Sequence, residues 1–159
     1  RGFFRIYNDY AEDGVKDDCM VISVDLDNLK LINDNFGHNE GDNAILTMAN
    51  ALKQSADEND ICARFGGDEY VVFGKGKGEY EMTAYIDKVN EYLAKYNLSS
   101  NKPYNVHGSF GGCIMPKGSK MHIDYYINAA DSKMYVDKET HKRTRTLFSY
   151  NKDDRESEE

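Results

Sequence analysis

"ARFGGDEYVVF", residues 63–73, sets two glycines and two carboxylates between apolar runs. The residues before the glycines read as one strand and Tyr70-Val71-Val72-Phe73 as the next. The segment therefore predicts a β-hairpin over about 60–74, with Gly66 and Gly67 supplying the positive φ angles of a tight turn. A hairpin has no need of Asp68 and Glu69 beside its turn. Those acids call for something to hold.

Upstream, "CMVISVDL", 19–26, is a short apolar run rich in β-branched residues and fits a buried strand. It ends on Asp25, with Asp27 just beyond. Burying a carboxylate is costly unless its charge is compensated. Asp27 or Asn28 is explained by capping the helix that follows, but Asp25 lies in the strand proper. If this strand lies beside the hairpin, Asp25 and Asp68 reach the same rim of the sheet. Converging carboxylates repel each other without a cation. Hard oxygen ligands suit Mg²⁺, which takes one or two carboxylates and completes its shell with phosphate and water. Such a centre serves phosphoryl or nucleotidyl transfer. Glycines beside it let the main chain approach a phosphate closely.

Apolar spacing predicts helices over 2–12, 28–36, 39–56, 79–97 and 122–138. "YNVHGSFGGCIM", 104–115, alternates as a strand, with Gly111-Gly112 marking a bulge or a close backbone approach. A last strand is expected near 145–149, before an acidic tail over 151–159 expected to be disordered. The order predicts one α+β domain over 1–150: a ferredoxin-like (palm-type) mixed, mainly antiparallel sheet with helices packed on it.

The 159 residues are 40% hydrophobic and 30% charged, an ordinary balance for one compact domain. A formal net charge of −8 argues against a nonspecific nucleic-acid binder but leaves nucleotides open. Cys19, Cys62 and Cys113 form no C-x-x-C pair, so neither a zinc site nor a disulfide framework is indicated. They read as reduced core residues of a cytoplasmic domain. No signal peptide and no apolar run of roughly 20 residues is visible, so no membrane contact by this segment is expected. The chain begins without Met, inside an apparent helix. The expectation is a fragment with a sensory domain or a membrane anchor upstream.

"RFGGDEY", with Tyr70 for the usual Phe, resembles the signature of the GGDEF family, the diguanylate cyclases. "DLDNLKLINDNFGHNEGD" resembles its D-x-D-x-F-K-x-I-N-D-x-x-G-H-x-x-G-D block, and "AADSKMYVDKETHKR" its C-terminal A-D-x-A-L-Y-x-A-K-x-x-G-R helix. The three blocks stand in family order and cover nearly the whole chain. The resemblance implies condensation of two GTP to cyclic di-GMP and two pyrophosphates, in a homodimer with facing sites. It implies Mg²⁺, with Mn²⁺ as the alternative, bound by Asp25, Asp68 and the Leu26 carbonyl. Asp68 would also activate the 3′-hydroxyl, Glu69 would support it, and Gly66 and Gly67 would lie against the α-phosphate. Asn33 and Asp42 match the guanine-reading pair, and His38 would line the same pocket. Lys30, Lys138 and Lys142 match the phosphate-facing cations.

The departures are informative. Lys142 stands where the family has arginine and lacks the bidentate grip of a guanidinium. The inhibitory R-x-x-D motif before the signature reads "DEND", 57–60, so product feedback is not expected. The D-x-L-T-x-L-x-N segment is missing apart from "RGFF". The competing reading is a GGDEF-like module that binds GTP to regulate a neighbour and turns over little.

Overall fold

The computed structural model describes residues 2–144. Five helices and four strands follow in chain order: α1 (Gly2–Ala11), β1 (Cys19–Leu26), α2 (Leu29–Phe36), α3 (His38–Ser55), β2 (Asp60–Arg64), β3 (Glu69–Lys75), α4 (Glu79–Ser99), β4 (Gly108–Met115) and α5 (Ile123–Thr144). The strand expected at 145–149 and the acidic tail lie outside the described residues.

The sheet runs β2-β3-β1-β4, and its three ladders are all antiparallel. From β1 onward the chain is the β-α-β-β-α-β unit with its first helix doubled. The α+β, ferredoxin-like class and the mainly antiparallel sheet are borne out, with no parallel pair among the described strands.

Burial explains why β1 reads as a continuous apolar run: all eight of its residues are buried. Met20, Ile22, Val24 and Leu26 face α3 and α4, packing with Met48, Leu52, Val89 and Leu93. Cys19 and Val21 face α1 and α5, packing with Phe3, Tyr7, Ile123 and Ile127. A strand covered on both faces has no room for polar alternation. Asp25 belongs to the second face by parity, under α5.

Gly111 is a close approach rather than a bulge, since its register with Ser23 continues unbroken through Gly112 opposite Ile22. A Cβ at Gly111 would sit 2.1 Å from the Met134 amide nitrogen and 2.2 Å from the Ala130 carbonyl. The missing side chain lets α5 lie directly on β4. Of the cysteines, Cys19 is buried and Cys113 half-buried, but Cys62 is exposed on the edge strand and is not a core residue. Among the described residues no helix is long and apolar enough to cross a membrane.

Candidate active site

The register of the central strand places Asp25 opposite Glu69 of β3 and Ser109 of β4. Beyond the ladder, the Leu26 amide donates to the Asp68 carbonyl at 2.8 Å, which hangs the hairpin turn over the end of β1. Asp25, Asp68 and Glu69 each present an oxygen within 4.8 Å of the others. Three carboxylates so close repel one another without a cation. Asp25 is 7% exposed. Its Oδ2 accepts from Lys138 Nζ at 2.7 Å, while Oδ1 is buried with no hydrogen-bond partner. Burial pushes the Asp25 carboxyl up to about 6, against the pull of the Lys138 ammonium and with a further push from Asp68. Burial works against the charge on Lys138, yet its carboxylate neighbours, Asp25 first, raise its pKa overall. One lysine among three acids leaves the cluster short of positive charge. Hard oxygens with an orphaned buried lone pair fit a divalent cation of the Mg²⁺ or Mn²⁺ kind.

The turn itself differs from the expectation. Neither Gly66 nor Gly67 takes a positive φ. Phe65 and Gly66 donate their amides to the Glu69 carbonyl at 2.8 and 3.4 Å. Arg64 reaches over the turn, its Nε donating to the Gly66 carbonyl and Nη2 to the Gly67 carbonyl, each at 2.9 Å. A Cβ at Gly67 would meet nothing, and one at Gly66 only the Glu69 side chain at 3.6 Å. Nothing within the fold demands glycine here. What the missing side chains leave is bare, exposed main chain beside the acid cluster. Phe65 anchors the turn from behind, its ring 5.3 Å from Phe3 and 5.6 Å from Phe4 of α1.

The base-reading candidates lie on α2 and α3, with Asn33 on the first and His38 and Asp42 on the second. Half-buried Asn33 lies against Gly41, where a Cβ would stand 1.7 Å from its Oδ1. Asp42 follows and is exposed, as are His38 at the start of α3 and Lys30 in the first turn of α2. Asp42 and Arg64 both line a groove of about 860 Å³ along α3 and β2. Asn28 precedes α2 in a left-handed conformation, φ 63°, without a side-chain cap bond. The expected capping by Asp27 or Asn28 is not realised, because Asp27 accepts instead from Ser109 at 2.6 Å.

On α5, Lys138 faces the acids, but Lys142 is 62% exposed and pairs with Glu139 at 3.1 Å. The structure thus brings together Asp25, Leu26, Asp68, Glu69 and Lys138, and leaves Lys142 outside. Tyr70 places its extra hydroxyl on the Ile45 carbonyl at 2.9 Å, so the departure from Phe is accommodated. In the "DEND" motif Asp57 and Asp60 are both bound by Lys77, with the Asp60 oxygens at 2.8 and 2.9 Å. Sequence reasoning missed Arg64, Ser109, Asp137 and His141. Helical spacing of 137, 138 and 141 was the available signal for the last two.

The family model described as diguanylate cyclase, GGDEF domain, matches residues 5–144. Diguanylate cyclase DgcP of Escherichia coli is 29% identical over 126 residues, covering 79% of this chain and 37% of that protein. Probable diguanylate cyclase DgcJ of the same organism is 32% identical over 120 residues, covering 76% and 23%. The chain thus spans well under half the length of these relatives. Among solved structures, the GGDEF domain of YfiN from Pseudomonas aeruginosa is similar at a TM-score of 0.71 and 25% identity, covering 88% of this chain and 89% of that one. The GGDEF domain of DgcB from Caulobacter crescentus, solved in complex with c-di-GMP, shares the fold at a TM-score of 0.71 and 21% identity, covering 90% and 81%. The chain belongs to the GGDEF domain family of diguanylate cyclases.

Proposed function

We propose that this domain condenses two GTP molecules into cyclic di-GMP with release of two pyrophosphates, working as a homodimer with one GTP in each facing site. The observation that carries the reading is the cluster of Asp25, Asp68 and Glu69, with its orphaned buried oxygen, beside a turn of bare main chain. Asp25 and Asp68, with the Leu26 carbonyl, would hold Mg²⁺ or Mn²⁺. Bound there, the cation supplies Lewis acidity toward the attacking hydroxyl and charge neutralisation at the leaving pyrophosphate.

Asp68, half-exposed at the rim, takes the proton of the 3′-hydroxyl as the new O3′–Pα bond forms and the Pα–O–Pβ bridge breaks. Glu69 supports it. The exposed Gly66-Gly67 main chain lies along the α-phosphate. Lys30 and Lys138 supply positive charge to the triphosphate. Asn33 and Asp42 read guanine, whose N1–H and N2–H suit a carboxylate, with His38 beside them. Adenine offers no such donor pair, which costs on the order of 1–3 kcal/mol per lost partner. Lys142, turned outward onto Glu139, contributes weakly to γ-phosphate binding.

With GTP and Mg²⁺ the purified chain is expected to release pyrophosphate and form cyclic di-GMP. Asp68→Ala abolishes turnover, and Asn33→Ala chiefly weakens nucleotide binding. Turnover at a rate independent of Asp68 would refute the assignment. The outward Lys142 favours a second reading, a GTP-binding regulatory module, which stoichiometric GTP binding without product would support.

A further inference from the structure

Behind the acid cluster, the end of α5 is tied to the sheet by polar contacts that the proposed chemistry leaves unused. Ser109, fully buried, donates its hydroxyl proton to Asp27 Oδ1 at 2.6 Å. His141 Nδ1 lies 2.8 Å from the Ser109 oxygen and 3.1 Å from Asp27 Oδ2. With the serine proton committed, Nδ1 is the donor to both oxygens. Nε2 faces Asp137 Oδ1 at 3.3 Å, and Asp137 Oδ2 accepts from the Phe110 amide at 2.8 Å. The helix pattern that α5 resembles has alanine and glycine at these two positions, so Asp137 and His141 depart from it.

What the cluster grips is the turn from β1 into α2. Asp27 is 5% exposed and needs donors to remain buried. Its main-chain amide is bound to the His107 carbonyl at 2.9 Å. Ahead of it stand Asp25 and Leu26, and behind it left-handed Asn28 leads into Lys30 and Asn33. His141 also lies one helical turn beyond Lys138, which holds Asp25.

We propose that His141 is a positioning residue for the reaction: through Asp27 and Ser109 it fixes the β1–α2 turn and keeps the Lys138 ammonium in register with Asp25. This rests on the cyclase reading above. The turn must be held to a fraction of an ångström, since small misplacements in an active site cost up to about a hundredfold in rate.

The test compares the wild type with His141→Ala and His141→Asn, whose side-chain amide can replace the Nδ1 donor. In His141→Ala, hydrogen exchange at the Asp27 and Ile32 amides accelerates about tenfold or more, and exchange in β3 stays as in the wild type. Turnover of GTP with Mg²⁺ falls about ten- to a hundredfold. Binding of a non-hydrolysable GTP analogue keeps full stoichiometry, because His141 itself makes none of the proposed nucleotide contacts. His141→Asn restores both exchange and rate. Unchanged exchange at Asp27, no recovery in His141→Asn, or loss of binding stoichiometry in step with turnover would each overturn the proposal. A wild type that binds GTP without turnover defeats the cyclase reading alone, and the exchange comparison then decides the anchoring role.

Discussion

Asp25 shows what the site costs the protein without its cation. Its carboxyl is pushed up to about 6 from an ordinary 3.8, first by burial. A raised acid prefers its protonated form in the folded chain, so its stabilising contribution is full below about pH 4. That contribution is lost as pH rises through about 6. In chelator-treated protein, Asp25→Asn is expected to be the more stable variant at pH 7.5, by about 1–2 kcal/mol. The difference should vanish near pH 4, which denaturant melts at several pH values would show. Equal stabilities at both ends would contradict the account. Gly67 makes the complementary case. With open space at its Cβ and no positive φ, Gly67→Ala should leave stability within about 0.5 kcal/mol while lowering GTP turnover at least tenfold. Parallel chemical denaturation and product assays separate the two effects. A destabilised variant would mean that the fold, and not a ligand, needs that glycine.

At the scale of elements, the acids depend on two supports from opposite directions. α1 backs the hairpin turn through Phe3, Phe4 and Phe65. α5 brings in Lys138, which it can do only because its main chain touches Gly111. Gly111→Ala would force α5 off β4, since backbone atoms cannot yield as a flexible side chain can. A loss of about 1–3 kcal/mol in stability is expected, together with turnover reduced beyond the unfolded fraction. Thermal melts and rates measured well below the transition would check it. The hairpin, the helix spacings and the bounds of β1 were legible because apolar periodicity and glycine placement are local signals, whereas β4 begins at Gly108 rather than at 104. The turn geometry was not, because Arg64 replaced the left-handed glycines that local reasoning required.

At the scale of the whole molecule, the charges ahead of the hairpin differ from the pattern the chain resembles. Asp57 stands where an arginine would bind product, and Lys77 closes the gap by binding both Asp57 and Asp60. The Lys77 ammonium holds the Asp57 carboxyl below the usual range. The Lys77 ammonium is thus committed to two carboxylates rather than offered to a phosphodiester. Added cyclic di-GMP is expected to leave the initial rate unchanged, and a saturable slowdown that disappears in Asp60→Ala would show otherwise. The proposed facing sites further require that specific activity rise with protein concentration.

Composition and pattern alone were enough for the order of elements, the α+β class and the identities of the acids, because each rests on residues close in sequence. Only the packed chain decided which charges meet. Asp25 reaches Lys138 and Asp68 across the sheet, Lys142 turns outward, and His141 turns inward onto Asp27. Such choices depend on which face of a helix lands on which strand, and that is settled by burial across the whole core rather than by any local run of residues.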